Sequence, residues 1–372
     1  MNGINKTALE KRIEELISAY CSKYGHLLGF ESVKTVCDQA VISGRNGKRL
    51  RAMLLITAAR FATQRAEQNN FFNALEESKV FDIACALEIF QTAALVHDDI
   101  IDNADVRRGQ PSAHKALSYL TKKPDETVGT GLGIMLGDIL ATVSVQAVNA
   151  AASGFFLHGS ILADFLGMQQ MVEFGQVMDI SSEITDLSKA KNLTLIAETV
   201  YQFKTASYTT IAPLALGFMC AGIDPDTARK IALKAGKPVG VAFQIADDLL
   251  DIISTEKDTG KPIGGDIREG KRTSIFADTL NALKEGGSES REDYLWLLDF
   301  YADRKRDSEG VKRVADLMHS TGAIERAKNR TEDLLKAAQY EIMSCSGEIL
   351  TNEGKENICR AFNAFIPEKI FK

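Results

Sequence analysis

The chain has 372 residues, 45% of them hydrophobic and 25% charged, so it is long enough to bury a large core. Its formal net charge of −6 argues against a nucleic-acid-binding surface, because such surfaces are basic. The sequence has no run of about 18 uninterrupted apolar residues and no apolar segment near its N-terminus, so we expect neither a membrane span nor secretion.

The predicted elements are helices throughout. Only 7 prolines, together with long runs of Ala, Leu, Ile, Glu and Lys, favour helices over strands. The first helix is predicted to start at a capping box, Thr7 with Glu10, and Leu9, Ile13 and Leu16 repeat at helical spacing. Further helices are predicted at about 29–43, 48–66, 78–102, 112–120, 130–151, 160–180, 192–220, 225–254, 273–285, 291–304, 310–319, 321–346 and 352–365.

Two copies of one acidic pattern stand out, DDIID at 98–102 and DDLLD at 247–251. In each copy the first and last carboxylates share a helix face, where like charges repel. A hard cation such as Mg2+ would offset this repulsion and take the rest of its ligands from water and substrate phosphates. Solvated acidic faces are the alternative, but both patterns end apolar runs, which favours a pocket. The predicted metal ligands are Asp98, Asp99, Asp102, Asp247, Asp248 and Asp251.

Basic residues cluster where phosphate groups could be held. Lys48 and Arg51 lie one turn apart at a predicted helix start, where free N–H groups and the helix dipole also attract anions. Arg107 and Arg108 closely follow the first acidic pattern. Lys204 lies mid-helix in a mostly uncharged stretch, where an unpaired Lys is costly unless it meets an anion. Together these clusters suit two anionic substrates, although each alone is also typical of a solvated helix end.

Other polar residues indicate less. A glycine-rich loop beyond the second pattern carries Lys261, Asp266 and, at its edge, Lys271. His97 adjoins the first pattern, where it could support a metal ligand or simply pack in the core. No His/Cys set has zinc spacing, and the six cysteines are scattered without a C-x-x-C pair. The cysteines therefore predict reduced thiols and a cytoplasmic protein.

These segments resemble the trans-isoprenyl (polyprenyl) diphosphate synthases. The matching segments follow the family's order: GKRLR at 47–51, LVHDDIIDNADVRRGQPSAH at 95–114, YQFKTASY at 201–208, GVAFQIADDLLD at 240–251 and GKPIGGDIREGKRTS at 260–274. The resemblance implies one all-α domain over 1–372, a single large bundle of antiparallel helices around a central cavity, usually homodimeric. Its implied substrates are isopentenyl diphosphate and an allylic diphosphate, which is dimethylallyl, geranyl or farnesyl diphosphate.

The resemblance also implies a role for each matching residue. The residues implied for isopentenyl diphosphate are Lys48, Arg51, Arg108 and Gln91, the last at a position where many members have His. Those implied for the allylic diphosphate are Arg107, Lys204, Thr205, Gln244 and Lys261, with Asp98 and Asp102 acting through Mg2+. The second acidic pattern would hold a third Mg2+. Asp98, Asp102, Lys204 and Asp247 would carry catalysis.

The implied chemistry is electrostatic. Mg2+ and the Lys/Arg groups would stabilise the diphosphate that leaves as the allylic C–O bond breaks. The double bond of isopentenyl diphosphate then attacks the allylic cation, and loss of a proton gives a product one C5 unit longer. A class I terpene cyclase would have no need of Lys48 and Arg51 for a second diphosphate. Head-to-head synthases have different acidic motifs, and non-catalytic subunits typically lose them.

Product length is predicted from the helix that carries Asp98. Ala94 and Ala93 lie one turn before it and are too small to stop a growing chain. Phe90 lies eight residues before Asp98, about 12 Å along the axis, and Leu87 one turn deeper. This depth predicts geranylgeranyl diphosphate, C20, as the main product. The alternative products are a longer chain of C25 or above and farnesyl diphosphate. The sequence also allows that Phe90 belongs to the core and that another helix stops the growing chain.

Overall fold

The structure is a computed structural model, and it describes residues 5–27, 29–62, 74–121, 123–254, 264–288, 290–303 and 305–371. It is 78% helical with 2% strand, which confirms the predicted all-α class. Over the described residues the α-helices are α1 Lys6–Ser22, α2 Glu31–Ser43, α3 Leu50–Phe61, α4 Ala74–Ile101, α5 Ala113–Ser118, α6 Glu126–Ala152, α7 His158–Glu183, α8 Leu193–Val200, α9 Ala212–Cys220, α10 Pro225–Ile231, α11 Lys237–Ile253, α12 Gly265–Glu269, α13 Ser274–Glu285, α14 Arg291–Ala302, α15 Ser308–Ser320, α16 Ala323–Met343 and α17 Asn352–Asn363.

Two long predicted helices contain wider π-helical segments. Tyr201–Ile211 joins α8 to α9, and Ala232–Gly236 joins α10 to α11. Short 3₁₀ turns follow α1, at Gly25–Leu27, and α17, at Glu368–Phe371. Since π-helical turns occur frequently at functional sites, the first of these segments is relevant to the predicted role of Lys204.

Local differences from the prediction have local causes. The cap of α1 is Asn5, whose side chain accepts a hydrogen bond from the Ala8 N–H at 3.3 Å, and not the predicted Thr7. No strand was expected, but Val106–Arg107 pairs with Gln110–Pro111 in an antiparallel hairpin. Its two turn residues have left-handed backbones, φ 53° and 75°, as short hairpin turns require.

The chain divides into two compact units, each assembled from segments that are distant in sequence. The first contains Met1–Gln169, Ala212–Arg229 and Cys345–Ala361. The second contains Gln170–Ile211, Lys230–Ser344 and Phe362–Lys372. The single domain expected over 1–372 stays a prediction.

In the first unit, glycines on α6 allow α4 and α5 to pack closely. A Cβ added at Gly129 would lie 2.3 Å from the His114 carbonyl oxygen, and one at Gly137 would lie 2.1 Å from Nε2 of His97. His97 Nε2 is also 3.2 Å from the Ile134 carbonyl oxygen. His97 therefore packs against α6, which favours the core alternative, and this packing fixes the final turns of α4.

In the second unit, α11 lies against the π-helical segment 201–211. A Cβ at Gly240 would lie 2.3 Å from the Cβ of Ala206, so the two backbones approach closely. Thr210 Oγ1 donates to the Gly236 carbonyl at 2.7 Å. Gly175 on α7 allows a similar approach, because its Cβ would lie 2.3 Å from the backbone nitrogen of Lys204. These contacts determine where the Lys204 side chain starts.

Two helices in the described part of the chain are long and apolar enough to cross a membrane by length and composition alone, which differs from our expectation. They are Glu76–Ile101 within α4 and Glu126–Ala152, which is α6. Their most apolar windows are 67% and 39% buried inside the protein. This is weak evidence for a span, because core helices meet the same criterion.

Candidate functional site

The first acidic motif lies in the last turns of α4. Asp98 and Asp102 are half-buried and follow one another along one face of the helix. Asp99 between them is only 2% exposed, because it points towards protein. Burial raises the pKa of Asp99, and hydrogen bonds from Arg107 oppose this rise. The two half-buried carboxylates are therefore more accessible to a ligand than that of Asp99.

The hairpin after α4 presents the two predicted arginines. Arg107 Nε donates to Asp99 Oδ1 at 2.8 Å, and its Nη2 lies 3.7 Å from Asp98 Oδ2. Asp99 thus positions Arg107 beside the first carboxylate of the motif. Arg108, with its left-handed backbone, donates through Nη1 to the carbonyl oxygen of Arg45. The hairpin therefore directs its two arginine side chains to different partners.

The remaining predicted residues of the first unit lie on α3, the loop before it and α4. Lys48 is exposed, whereas Arg51 is 7% exposed. Gln91 is half-buried on α4, two turns before Asp98 and on nearly the same face. Arg51 and Arg108 are close enough for their positive charges to interact, so an anion near them would be attracted by both.

The predicted chain-length residues also lie on α4. Phe90 is 4% exposed and contacts Phe165 of α7 edge-to-face, with 6.4 Å between the ring centroids. Phe165 is fully buried. Ala93 is 1% exposed and Ala94 is half-buried, so the two alanines point in different directions. The sequence alone did not indicate that a second aromatic ring supports Phe90.

In the second unit, Lys204 is paired with an acid that the sequence reading missed. Its Nζ lies 2.6 Å from Oδ2 of Asp179, near the end of α7. Lys271 Nζ lies 3.7 Å from the same oxygen and 3.6 Å from Glu183 Oε1. Gln176, Asp179 and Glu183 recur at helical spacing in a mostly apolar helix, and this pattern could have predicted the cluster.

The second acidic motif repeats the contrast within the first. Asp247 is exposed, whereas Asp248 is 3% exposed. Asp248 accepts hydrogen bonds from the Tyr201 hydroxyl and, at 2.9 Å, from Gln244 Nε2. Burial raises the pKa of Asp248 to about 7, and these two hydrogen bonds oppose the rise. Its oxygens face protein partners in this structure.

Hydrogen bonds extend this network to further predicted residues. Thr205 Oγ1 donates to Gln244 Oε1 at 2.7 Å, so the two predicted allylic-diphosphate residues bind one another. The Ser274 N–H donates to the Tyr201 hydroxyl at 2.7 Å. Tyr201 is the member that the sequence reading missed, because nothing local distinguishes it from a core aromatic residue.

The last aspartate of the second motif binds the helix that follows the glycine-rich loop. Asp251 accepts from the N–H groups of Gly265 at 3.1 Å and Asp266 at 3.0 Å, and so caps the start of α12. Lys261 lies outside the described residues.

Whether these carboxylates suit a hard metal ion depends on their donor chemistry. Among the described residues, no three His, Cys, Asp or Glu side chains are gathered closely enough to enclose a metal ion. Asp98 and Asp102 instead lie half-buried on one face of the helix. Mg2+ usually takes one or two protein carboxylates and completes its shell with water and substrate phosphates. The residues fit Mg2+ delivered with a diphosphate.

Known proteins match the chain over most of its length. Residues 32–318 match the family model described as polyprenyl synthetase. The geranylgeranyl diphosphate synthase of Saccharolobus solfataricus is 30% identical over 279 residues, 73% of this chain and 72% of that protein. The geranylfarnesyl diphosphate synthase of Aeropyrum pernix is 26% identical over 298 residues, 79% of this chain and 82% of that protein.

A crystal structure of Corynebacterium glutamicum geranylgeranyl pyrophosphate synthase, complexed with isoprenyl diphosphate and magnesium, has the same fold. It matches with a TM-score of 0.80 at 24% identity, over 97% of this chain and 99% of that one. The family model covers well over half of the chain and reaches into both units. The chain therefore belongs to the polyprenyl synthetase family and is a prenyltransferase that elongates trans-prenyl diphosphates.

Proposed function

We propose that the enzyme joins isopentenyl diphosphate head-to-tail to an allylic diphosphate and that its main product is geranylgeranyl diphosphate, C20. The observation that carries the proposal is the position of the Asp98 and Asp102 carboxylates on one face of α4, with the Arg107 guanidinium 3.7 Å from Asp98. This arrangement offers oxygens to a hard cation and a guanidinium to the same diphosphate.

Asp98 and Asp102, together with Asp247 and Asp251, would hold Mg2+. The family resemblance implies three ions. When bound, Mg2+ neutralises charge on the leaving diphosphate. Asp99 and Asp248 were also predicted as ligands, and this role stays a prediction. Their oxygens accept hydrogen bonds from protein groups in the structure, as do those of Asp251.

The allylic diphosphate would be held by basic groups that lie beside acids in this structure. Arg107 and Lys204 would donate to its oxygens as the C–O bond breaks and the bonding electrons move to the diphosphate. Lys271, which shares Asp179 with Lys204, would join them. Thr205, Gln244 and Lys261 would complete the contacts; the first two stay linked by their hydrogen bond.

Isopentenyl diphosphate would be held by Lys48, Arg51 and Arg108, with Gln91 as a further donor. Lys48 is exposed, and the positive charges of Arg51 and Arg108 lie close enough to interact. Because these basic groups would be separate from those that hold the allylic diphosphate, both substrates could bind at once. The double bond of isopentenyl diphosphate would then attack the allylic carbon. A new C–C bond would form, and a proton would then pass to the released diphosphate as the double bond is restored.

The C20 assignment is supported by the Phe90–Phe165 contact. Two buried rings in edge-to-face contact would form a more rigid wall than a single flexible side chain. The small Ala93 and Ala94 lie about one turn before Asp98, where a bulky side chain would stop the growing chain. A chain of three to four C5 units would extend to the depth of Phe90.

We also propose a cytoplasmic homodimer. Ile134, Met135 and Ile139 form an apolar strip on α6 and are 41%, 51% and 38% exposed. A second copy of the chain would cover this strip. The scattered cysteines support a reducing compartment, because such thiols are typical of cytoplasmic proteins.

The test is a product assay on the purified chain with dimethylallyl diphosphate and excess isopentenyl diphosphate. With Mg2+ we expect a ladder that ends mainly at C20, and EDTA should abolish it. Asp102→Ala should lower turnover by about a hundredfold or more at unchanged helicity. Asp226→Ala is the control and should keep full turnover, because Asp226 is an exposed aspartate that pairs with Arg229 on the same helix, α10. A ladder ending at C15 or beyond C25 would contradict the C20 assignment, and normal turnover in Asp102→Ala would contradict the metal-site assignment.

A further inference from the structure

A buried ion pair lies next to the predicted isopentenyl diphosphate residues in the first unit. Arg49 is 2% exposed and Glu88, on α4, is 1% exposed. Arg49 Nη1 donates to Glu88 Oε2 at 3.3 Å, and its Nη2 donates to the carbonyl oxygen of Gly44. Burying two charges costs several kcal/mol per ion and is tolerated only where partners offset it. Neither residue has a role in the site described above.

The backbone at Arg49 is strained. Arg49 is the residue that caps α3, and its φ of 60° and ψ of 24° lie in the left-handed region. A residue other than Gly in such a conformation is strained, so its surroundings must hold it there. A Cβ at Gly47 would lie 2.7 Å from Arg49 Nη1. Glycine at 47 is therefore what lets the guanidinium fold back over the loop.

Glu88 also binds the start of α3. Its Oε1 accepts from the Ala52 N–H at 3.1 Å. This N–H belongs to the first turn, whose amides have no partner within the helix. The Arg49 side chain makes no capping hydrogen bond itself. One carboxylate from α4 thus holds both the capping residue and the first turn of α3, and we call Arg49 and Glu88 the Arg49–Glu88 clamp.

Next to the Arg49–Glu88 clamp, neighbouring basic side chains point in different directions. Lys48 is exposed, whereas Arg49, the next residue, points into the core. Arg108 binds the carbonyl of Arg45 in the same loop. Desolvation and the positive charge of Arg49 lower the pKa of Arg108, and the negative charge of Glu88 opposes them. Glu88 therefore offsets part of the charge of this basic group.

We propose that the Arg49–Glu88 clamp positions the isopentenyl diphosphate site without touching the substrate. The left-handed turn that it holds sets the direction of Lys48, and its bond to the first turn of α3 sets the position of Arg51. The inference rests on the proposed function, in which Lys48, Arg51 and Arg108 hold that diphosphate.

Two single variants test the clamp. Arg49→Lys keeps the charge and loses the forked geometry, and Glu88→Gln keeps the shape and loses the charge. Because displacement of binding groups by about 1 Å can cost up to a hundredfold, we expect each variant to raise KM for isopentenyl diphosphate about tenfold. KM for the allylic substrate should stay within about twofold. Asp82→Asn is the control, because it breaks another ion pair of α4, with Arg12 at 2.7 Å, and should leave both constants unchanged.

Glu88→Gln leaves the buried Arg49 guanidinium with only the more distant Glu10 carboxylate, at 3.8 Å, as a charged partner, and the variant can fail to fold. In that case Arg49→Lys carries the test. Equal increases in both KM values, or a lower melting temperature with both KM values unchanged, would overturn the positioning role. Lys48→Ala distinguishes an error in the proposed substrate site from an error in the role of the Arg49–Glu88 clamp. If Lys48→Ala leaves KM for isopentenyl diphosphate unchanged, the proposed substrate site is wrong; if only Lys48→Ala raises it, the clamp is wrong.

Discussion

Adjacent aspartates in each acidic motif have opposite environments. Asp98 is half-buried, whereas Asp99 is almost fully buried and bound to Arg107. Asp247 is exposed, whereas Asp248 is buried and bound to Tyr201 and Gln244. Consecutive residues on a helix point about 100° apart, so one of each pair must face the protein where the helix is part of a core. The buried aspartate of each pair then binds polar groups of the protein, while its neighbour lies closer to the surface.

At the residue scale, steady-state kinetics should distinguish the substrate that Arg51 binds from the substrate that Arg107 binds. Arg51→Ala should raise KM for isopentenyl diphosphate, and Arg107→Ala should raise KM for the allylic substrate. Loss of one charged phosphate contact costs on the order of 1.5–3 kcal/mol, which corresponds to a roughly ten- to hundredfold change. Steady-state assays that vary one substrate at a time measure this. An increase of only the allylic constant in Arg51→Ala would show that the two sites are assigned in reverse.

At the element scale, the close packing of α6 against α5 should depend on a glycine without a Cβ. Gly129→Ala would bring a Cβ to 2.3 Å from the backbone oxygen of His114, which cannot move alone. We expect a loss of about 1–3 kcal/mol in the free energy of unfolding. Gly131→Ala, on the same helix with no neighbour within 4 Å, should be neutral or stabilising by up to about 1 kcal/mol. Chemical denaturation measures both, and equal effects would contradict this packing argument.

The position of bulky side chains along α4 should set the length of the product. Phe90→Ala removes one of the two contacting rings and should shift products to C25 and beyond. Ala94→Phe adds a bulky group one turn before Asp98 and should shorten the product to C15. Chromatography of the dephosphorylated products from the same assay reports both shifts. An unchanged ladder in both variants would show that another helix stops the chain.

At the scale of the whole molecule, the apolar strip of α6 should mediate association. A Met135→Glu, Ile139→Glu double variant places charge in the strip, and we expect a monomer at micromolar concentration where the wild type is a dimer. Leu295→Glu is the matched control, because Leu295 is 49% exposed on α14, outside the strip. Sedimentation velocity distinguishes the two masses. A monomeric wild type, or a double variant that stays dimeric, would contradict this interface.

Much of this protein could be predicted from sequence because the relevant information is local. Helical periodicity and few prolines indicate an all-α fold, and carboxylates four residues apart share a helix face wherever that helix lies. The motif resemblance indicated the family, and residues 32–318 match its model. The assignments of substrate to side chain and of product length stay predictions.

Tertiary structure decided what depends on residues distant in the chain. Lys204 was expected to need an anion, and the fold supplies Asp179 from 25 residues away. Arg49, which has a left-handed backbone, donates to Glu88, 39 residues away. Sequence spacing determines which side chains share a face of one helix. It does not determine which face other helices cover, and that packing decides which aspartate of each adjacent pair is buried.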